Sequence, residues 1–75
     1  KKMSLSPTLD KMVNEFKDYA FKDHVTEDAR NQLIQLYNMK ENCKNDRPGK
    51  DGKVPTIEDI MHFIHYLRWE KILPF

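Results

Sequence analysis

The sequence predicts an all-α fold made of three helices in a single domain. Three segments place apolar residues at steps of three and four, and a residue type that commonly caps helices precedes each of them. Both glycines and two of the four prolines fall between the second and third segments, where they predict a long loop. A chain of 75 residues supports one hydrophobic core, so residues 1–75 are expected to form one helical domain.

The first helix is predicted to begin after Ser6, because serine is a good N-cap and Pro7 suits the first helical position. Proline loses nothing there, since the first backbone N–H groups of a helix have no partner within it. The helix is expected to end near Phe21. Its core-facing positions recur at helical spacing and are Leu9, Met12, Val13, Phe16 and Ala20.

The second helix is predicted to start at Thr26 and to run to about Asn42. Thr26 supplies a cap, and the acidic residues Glu27 and Asp28 suit the positive end of the helix dipole. The apolar stripe is Ala29, Leu33, Leu36 and Cys43, widened by Ile34, Tyr37 and Met39.

Residues 43–55, CKNDRPGKDGKVP, are predicted to form a loop. The pair Asp51-Gly52 has the chemistry of a tight turn, and Lys53 and Val54 allow a short β-hairpin between helices two and three.

The third helix is predicted from about Thr56 to about Ile72. Thr56 and Asp59 have the spacing of a capping box, and Pro74 cannot continue the helix. Its apolar positions are Ile57, Ile60, Met61, Ile64, Leu67 and Ile72. The terminal Phe75 is expected to fold back onto the bundle.

Packing among the three helices is expected to provide the stability, because helices of this length are marginal alone. At this size the free energy of unfolding is expected to be roughly 3 to 5 kcal/mol. Replacing Phe16 or Leu33 by alanine, at about 2 to 5 kcal/mol, is therefore expected to unfold the domain.

The composition argues against a few classes of function but does not single one out. The net charge of +1 is far from the basic balance typical of nucleic-acid binding, and a mean hydropathy of −0.82 predicts no membrane span. A single cysteine, Cys43, forms no internal disulfide, which favours a reducing, intracellular compartment. Because the chain starts at Lys1, we expect a fragment of a longer protein.

The long loop is locally basic. The basic residues in the loop and at the end of the second helix are Lys40, Lys44, Arg47, Lys50 and Lys53. They suit an acidic partner, but a solvated loop without a ligand, with Lys40 and Lys44 complementing the helix dipole, explains them equally well.

Metal binding and catalysis find little support in the sequence. A calcium loop ending at Glu58 would need carboxylates where Arg47 and Gly49 stand. His62 and His65 lie on adjacent turns near Glu58 but have no fourth zinc ligand beside them. Cys43 lacks an oxyanion-forming motif, so no enzyme, cofactor or metal is predicted.

The end of the third helix has the composition of a binding surface. Arg68 and Trp69 are residue types that dominate interface hot spots, and Tyr66 and Lys71 lie nearby. The competing interpretation, that Trp69 covers one side of the small core, is the favoured one for a lone tryptophan.

The segment GKDGKVPTIEDIMHFIHYLRWEKI, Gly49 to Ile72, resembles the end of the C-terminal nucleocapsid-binding domain of rhabdovirus phosphoproteins. The matching features are the turn Asp51-Gly52-Lys53, the early acid Glu58, and the basic-aromatic end Arg68-Trp69 with Lys71. The resemblance covers about a third of the chain. It implies a small module that tethers the viral RNA polymerase to the nucleoprotein-RNA template, acting in the host cytoplasm and in the virion.

We therefore predict a non-enzymatic protein-protein interaction module, with a viral nucleoprotein as the expected partner and no membrane or direct RNA binding. Its expected partner-binding residues are Lys50, Lys53, Tyr66, Arg68, Trp69 and Lys71. The alternative is a small helical nucleic-acid-binding domain that uses the same basic residues on phosphates.

Overall fold

A computed structural model describes residues 5–74, which form three α-helices. Helix α1 spans Pro7–Ala20, α2 spans Glu27–Lys44 and α3 spans Ile57–Trp69. The all-α, three-helix prediction is confirmed. The expectation for Phe75 lies outside the described residues.

Helix α2 is the central element of the bundle. Close backbone approaches join it to both other helices, whereas no Cα atom of α1 comes within 8 Å of a Cα atom of α3. One core unites the three helices and the segment after α3. Its buried residues are Leu9, Val13, Phe16, Ala20, Leu33, Leu36, Cys43, Ile60, Ile64, Leu67 and Leu73.

The predicted capping residues precede all three helices. Thr26 Oγ1 accepts a hydrogen bond from the Ala29 N–H at 3.2 Å. Thr56 and Asp59 form a reciprocal capping box, with donor-acceptor distances of 3.1 and 3.0 Å. Ser6 is the N-cap of α1 and Pro7 is its first residue, but the Ser6 side chain makes no capping hydrogen bond.

Helices α2 and α3 end in the same way, in a Schellman turn. In α3 the Ile72 N–H donates to the Leu67 carbonyl at 2.9 Å and the Lys71 N–H donates to that of Arg68 at 3.1 Å. Lys71 adopts the left-handed conformation, with φ of 60°. The helix therefore ends at Trp69, and the prediction that it reaches Ile72 is wrong.

The turn at the end of α2 uses Asp46, whose φ is 56°. The Arg47 N–H donates to the Asn42 carbonyl at 2.8 Å, and the Asp46 N–H donates to that of Cys43 at 3.4 Å. Helix α2 thus ends at Lys44, two residues beyond the predicted end.

The predicted β-hairpin between helices two and three is not supported, since no strand occurs in residues 5–74. The segment instead closes a turn, in which the Gly49 N–H donates to the Lys53 carbonyl at 2.8 Å. Gly52 has a φ of 79°, which favours glycine. Pro48 and Pro55 flank this turn and have no N–H to donate, so a strand ladder cannot extend from it.

Arg30 fixes the connection between α1 and α2, a role that the sequence did not indicate. Its Nε donates to the Ala20 carbonyl at 2.7 Å, and its Nη2 donates to that of Val25 at 3.2 Å. The first bond satisfies the Ala20 carbonyl, which the end of α1 leaves without a helical partner. The two bonds also hold the connection in the position where Val25 is buried.

Candidate functional site

Lys40 does not belong to an exposed basic patch. Only 1% of the residue is exposed, and its Nζ lies 2.8 Å from Asp10 Oδ1 and 2.6 Å from Glu41 Oε2. The ammonium also lies 4.5 Å from the centre of the Tyr37 ring. Lys40 is therefore a structural residue, and grouping it with the loop cations was wrong.

The charges around Lys40 stabilise one another. The ammonium of Lys40 lowers the pKa of Asp10 through their close contact, and its hydrogen bond to Glu41 lowers the pKa of that carboxyl as well. Burial acts to lower the pKa of Lys40, but its contacts with the negative Asp10 and Glu41 outweigh burial and raise that pKa. All three groups are thus held in their charged forms.

The loop cations remain available to a partner. Arg47, Lys50 and Lys53 are exposed, and they form no ion pair within the described part of the chain. Lys44 is half exposed, with its Nζ 3.8 Å from Asp10 Oδ2.

Trp69 lies on the surface, with 83% of the residue exposed. The favoured expectation that it covers the core is wrong. On α3 it points away from Ile60 and Ile64, and the Schellman turn instead brings Leu73 into the core, where it is 3% exposed. The tryptophan therefore contributes little to the buried area of the domain.

Other large side chains accompany Trp69 on the solvent-facing side of α3. Met61 is 40% and Tyr66 is 45% exposed, and His62 and His65 are exposed on the same side. The Tyr66 ring stacks on that of Phe63 with centroids 5.9 Å apart, which orients it. We call Met61, His62, His65, Tyr66 and Trp69 the outer face of α3.

The six predicted partner-binding residues fall into two groups. Lys50 and Lys53 lie in the loop before α3, whereas Tyr66, Arg68, Trp69 and Lys71 lie at its far end. A helix of 13 residues separates these positions by about 18 Å. The second group shares the far end of α3, where Arg68 lies on a different side of the helix from Tyr66, and it is not joined to the loop lysines.

A groove runs between α2, the loop and the first turns of α3, with a volume of about 1120 Å³. Four carboxamide side chains from α2 line it: Asn31, Gln35, Asn38 and Asn42. We call these four residues the amide row. Lys50 and Lys53 line the opposite side, together with Val54 and Pro55.

This groove was not predicted from the sequence. The sequence does contain a pattern that corresponds to it. Four amide residues follow one another at steps of four, three and four, which places them on one face of a helix. Amide residues on a helix usually face solvent, so the amide row by itself does not predict a groove.

Cys43 is not poised for nucleophilic chemistry. It is 2% exposed, and burial raises the pKa of its thiol, with a smaller effect from the negative charge of Asp59. His62 and His65 are exposed, and no three His, Cys, Asp or Glu side chains within residues 5–74 are placed to hold a metal ion.

None of the helices in the described region has the length and apolar character needed to cross a membrane. Comparison with family models, with curated proteins and with solved structures found no match to this chain.

Proposed function

We propose that this domain is a non-enzymatic protein-protein interaction module that docks through the end of α3. The observation that carries the proposal is the exposure of Trp69, 83%, beside the half-exposed Tyr66. Arg68 precedes Trp69 in α3, and Lys71 lies in the turn that ends the helix. Such a combination supplies apolar area and directional charged donors together.

The Trp69 side chain adds little to the stability of the folded domain, because most of the ring stays in water. Covering the same ring with a partner would remove apolar surface from water at a small entropy cost, since the helix already orders the backbone. The exposed ring is thus better suited to binding than to folding.

The proposed partner is a viral nucleoprotein in its RNA-bound form. The resemblance of Gly49 to Ile72 to rhabdovirus phosphoproteins supports this choice, and the resembling segment ends in the Arg68-Trp69 pair. Arg68 and Lys71 suit an acidic protein loop, while a net charge of +1 favours little nonspecific attraction to RNA. The domain would tether the polymerase to its template and take no part in the chemistry.

The test is calorimetric titration of the chain with purified rhabdovirus nucleoprotein-RNA rings. We expect saturable binding, accompanied by a blue shift of Trp69 fluorescence. The Arg68→Glu, Lys71→Glu double variant and the Trp69→Ala variant should each bind at least about tenfold more weakly.

Phe21→Ala is the matched control, because Phe21 is an exposed aromatic residue, 59% accessible, at the end of α1. It should bind like the unaltered chain. Equal affinities of all variants would remove the end of α3 as the docking surface. Tight binding to bare single-stranded RNA that weakens steeply with salt would instead support a nucleic-acid-binding domain.

A further inference from the structure

We propose that two copies of this chain associate through the outer face of α3, with the two helices running antiparallel. The inference goes beyond the proposed function, because the occupant of this face is a second copy of the chain. Tyr66 and Trp69 belong both to this face and to the surface proposed for docking. Self-association therefore covers the docking surface, and a tightly bound partner displaces the second copy.

The outer face of α3, together with Glu58, has the same spacing in both directions along the helix. Its positions follow at steps of three, one, three, one and three, and all are exposed. They lie within about 70° of one line along the helix. A two-fold axis at the centre of this pattern places Glu58 opposite Trp69, and His62 opposite His65, of the second copy.

The charges on α3 favour the antiparallel over the parallel arrangement. Glu58 is exposed in the first turn and forms no ion pair within residues 5–74. In the antiparallel pair its carboxylate lies level with the indole N–H donor of Trp69 in the second copy, and Arg68 lies one residue away on the adjoining flank. A parallel pair instead sets Glu58 against Glu58, and it also aligns the two helix dipoles.

The other acidic groups of α3 lie outside the contact. Asp59 and the C-cap Glu70 are about 90° and 110° from the middle of the face, so their carboxylates stay in water. Asp59 is also held in the capping box, where its Oδ2 accepts from the Thr56 N–H at 3.0 Å. Glu58 is therefore the one carboxylate that the pairing brings to the centre of the contact.

The middle of the face supplies apolar contact. Met61 is 40% and Tyr66 is 45% exposed, and in the antiparallel pair they pack beside His65 and His62 of the second copy, respectively. The Tyr66 ring already stacks on that of Phe63, with centroids 5.9 Å apart, so little freedom is lost when it is covered. Because the two histidines of each copy meet near the two-fold axis, pairing is favoured at a pH where they are neutral.

The size of the face indicates a weak, reversible dimer. A helix of 13 residues is about 20 Å long, and one face of it buries less than the roughly 800 Å² per partner of a standard interface. The net charge of +1 leaves little long-range repulsion between two copies. We expect a dissociation constant between about 10 μM and 1 mM.

The first test is sedimentation equilibrium of the intact chain at pH 8, where histidines are neutral, from about 10 μM to 2 mM. The mean mass should rise with concentration towards that of two chains. Met61→Lys places an ammonium group in the contact and should weaken association at least about tenfold. Val54→Lys is the matched control, because Val54 is 38% exposed and lies in the loop before α3; it adds the same charge and should associate like the unaltered chain.

The second test determines the direction of the two helices by disulfide formation in a Cys43→Ala background, with the fold verified by circular dichroism. In the antiparallel pair the two copies of residue 62 lie within about 5 Å of each other along the helix, whereas those of residue 58 are about 17 Å apart. A disulfide requires Cα atoms less than about 7 Å apart. His62→Cys should therefore give a linked dimer on oxidation, and Glu58→Cys should remain single chains.

Three results would overturn the proposal. They are a chain that stays monomeric at the highest concentration, equal association of Met61→Lys and Val54→Lys, and linkage of Glu58→Cys as readily as His62→Cys. None of these measurements uses nucleoprotein. Failure of the dimer is therefore distinguishable from failure of the proposed function, which is measured by binding to the rings.

Discussion

The ammonium of Lys40 lies 2.8 Å from Asp10 Oδ1, although thirty positions separate the two residues in the chain. Their alignment is poor for a hydrogen bond at this oxygen, so the contact is chiefly an ion pair. It joins the first turns of α1 to the last turns of α2 at the edge of the core. The pair therefore fixes how these two helices align lengthwise.

Replacing Lys40 by methionine should destabilise the domain by about 1 to 3 kcal/mol. The apolar chain fills the same space, but Asp10 and Glu41 lose the cation that compensates their desolvation. Urea unfolding followed by circular dichroism measures the change. Lys44→Met is the matched control, since Lys44 is 51% exposed and its Nζ is 3.8 Å from Asp10, and it should cost less than about 0.5 kcal/mol.

A double-mutant cycle separates the ion pair from packing. Adding Asp10→Asn to Lys40→Met should cost less than the sum of the single changes, because the acid left unpaired is then removed. Additive single changes would show that Asp10 and Lys40 are not coupled.

The same cluster predicts how stability depends on pH. The pKa values of Asp10 and Glu41 are lowered from ordinary values of 3.8 and 4.5, so their stabilisation is present above those values and lost as the pH falls through the folded-state pKa. The pKa of Lys40 is raised from 10.5, so its stabilisation is present below that pH and lost as the pH rises further. Thermal unfolding across the pH range should show both losses.

The Lys40→Met, Asp10→Asn variant is the control for this pH dependence. It should lose part of the alkaline decline and part of the acid decline. Some alkaline sensitivity should persist, because burial raises the pKa of the Cys43 thiol and the unfolded chain therefore loses that proton first. Some acid sensitivity should persist, because the backbone hydrogen bond from Thr56 also lowers the pKa of Asp59. An unchanged alkaline decline would contradict the assignment to Lys40.

The contribution of the core to stability can be tested with two phenylalanines, one buried and one exposed. Phe16 is 2% exposed and Phe21 is 59% exposed, only five positions apart. Phe16→Ala should cost about 3 to 5 kcal/mol, comparable with the whole expected stability, and leave the chain largely unfolded. Phe21→Ala should change stability by less than about 0.5 kcal/mol. Circular dichroism and urea titration of the two variants test this, and a folded Phe16→Ala chain would contradict it.

The sequence predicted those features that depend on local chemistry and periodicity. Thr26, and Thr56 with Asp59, cap the expected helices, and apolar spacing identified nearly all of the core. These features need only neighbouring residues, so the pattern is sufficient to find them.

Features that depend on long-range contacts were not predictable in the same way. Lys40 was placed on the surface because its partner Asp10 belongs to another helix. Trp69 was favoured for the core because composition does not show that Leu73, brought back by the turn at Lys71, fills that position. The groove was missed because it exists only where the loop lies against α2.

Glycine in place of either of the two left-handed residues that follow α2 and α3 should stabilise the domain. Lys71→Gly should stabilise the domain by about 0.5 to 1 kcal/mol, because a side chain at a φ of 60° is disfavoured. Asp46→Gly should gain less, since aspartate tolerates this conformation better than lysine. Met61→Gly, within α3, is the control and should lose about 1 kcal/mol. Thermal unfolding compares the three, and destabilisation by Lys71→Gly would contradict the turn geometry.

Cys43 offers a way to measure opening at the end of α2. The thiol is 2% exposed and its pKa is raised by burial, so thiol reagents should modify it about 100 to 1000 times more slowly than in the unfolded chain. The control is a Cys43→Ala, Asn14→Cys variant, whose thiol lies on the exposed side of α1 and should react rapidly. Because Cys43 precedes the Asp46 turn and lies near the start of α3, its protection should track global unfolding in urea. Rapid modification of folded Cys43 would show instead that the α2–α3 junction opens independently of the rest of the core.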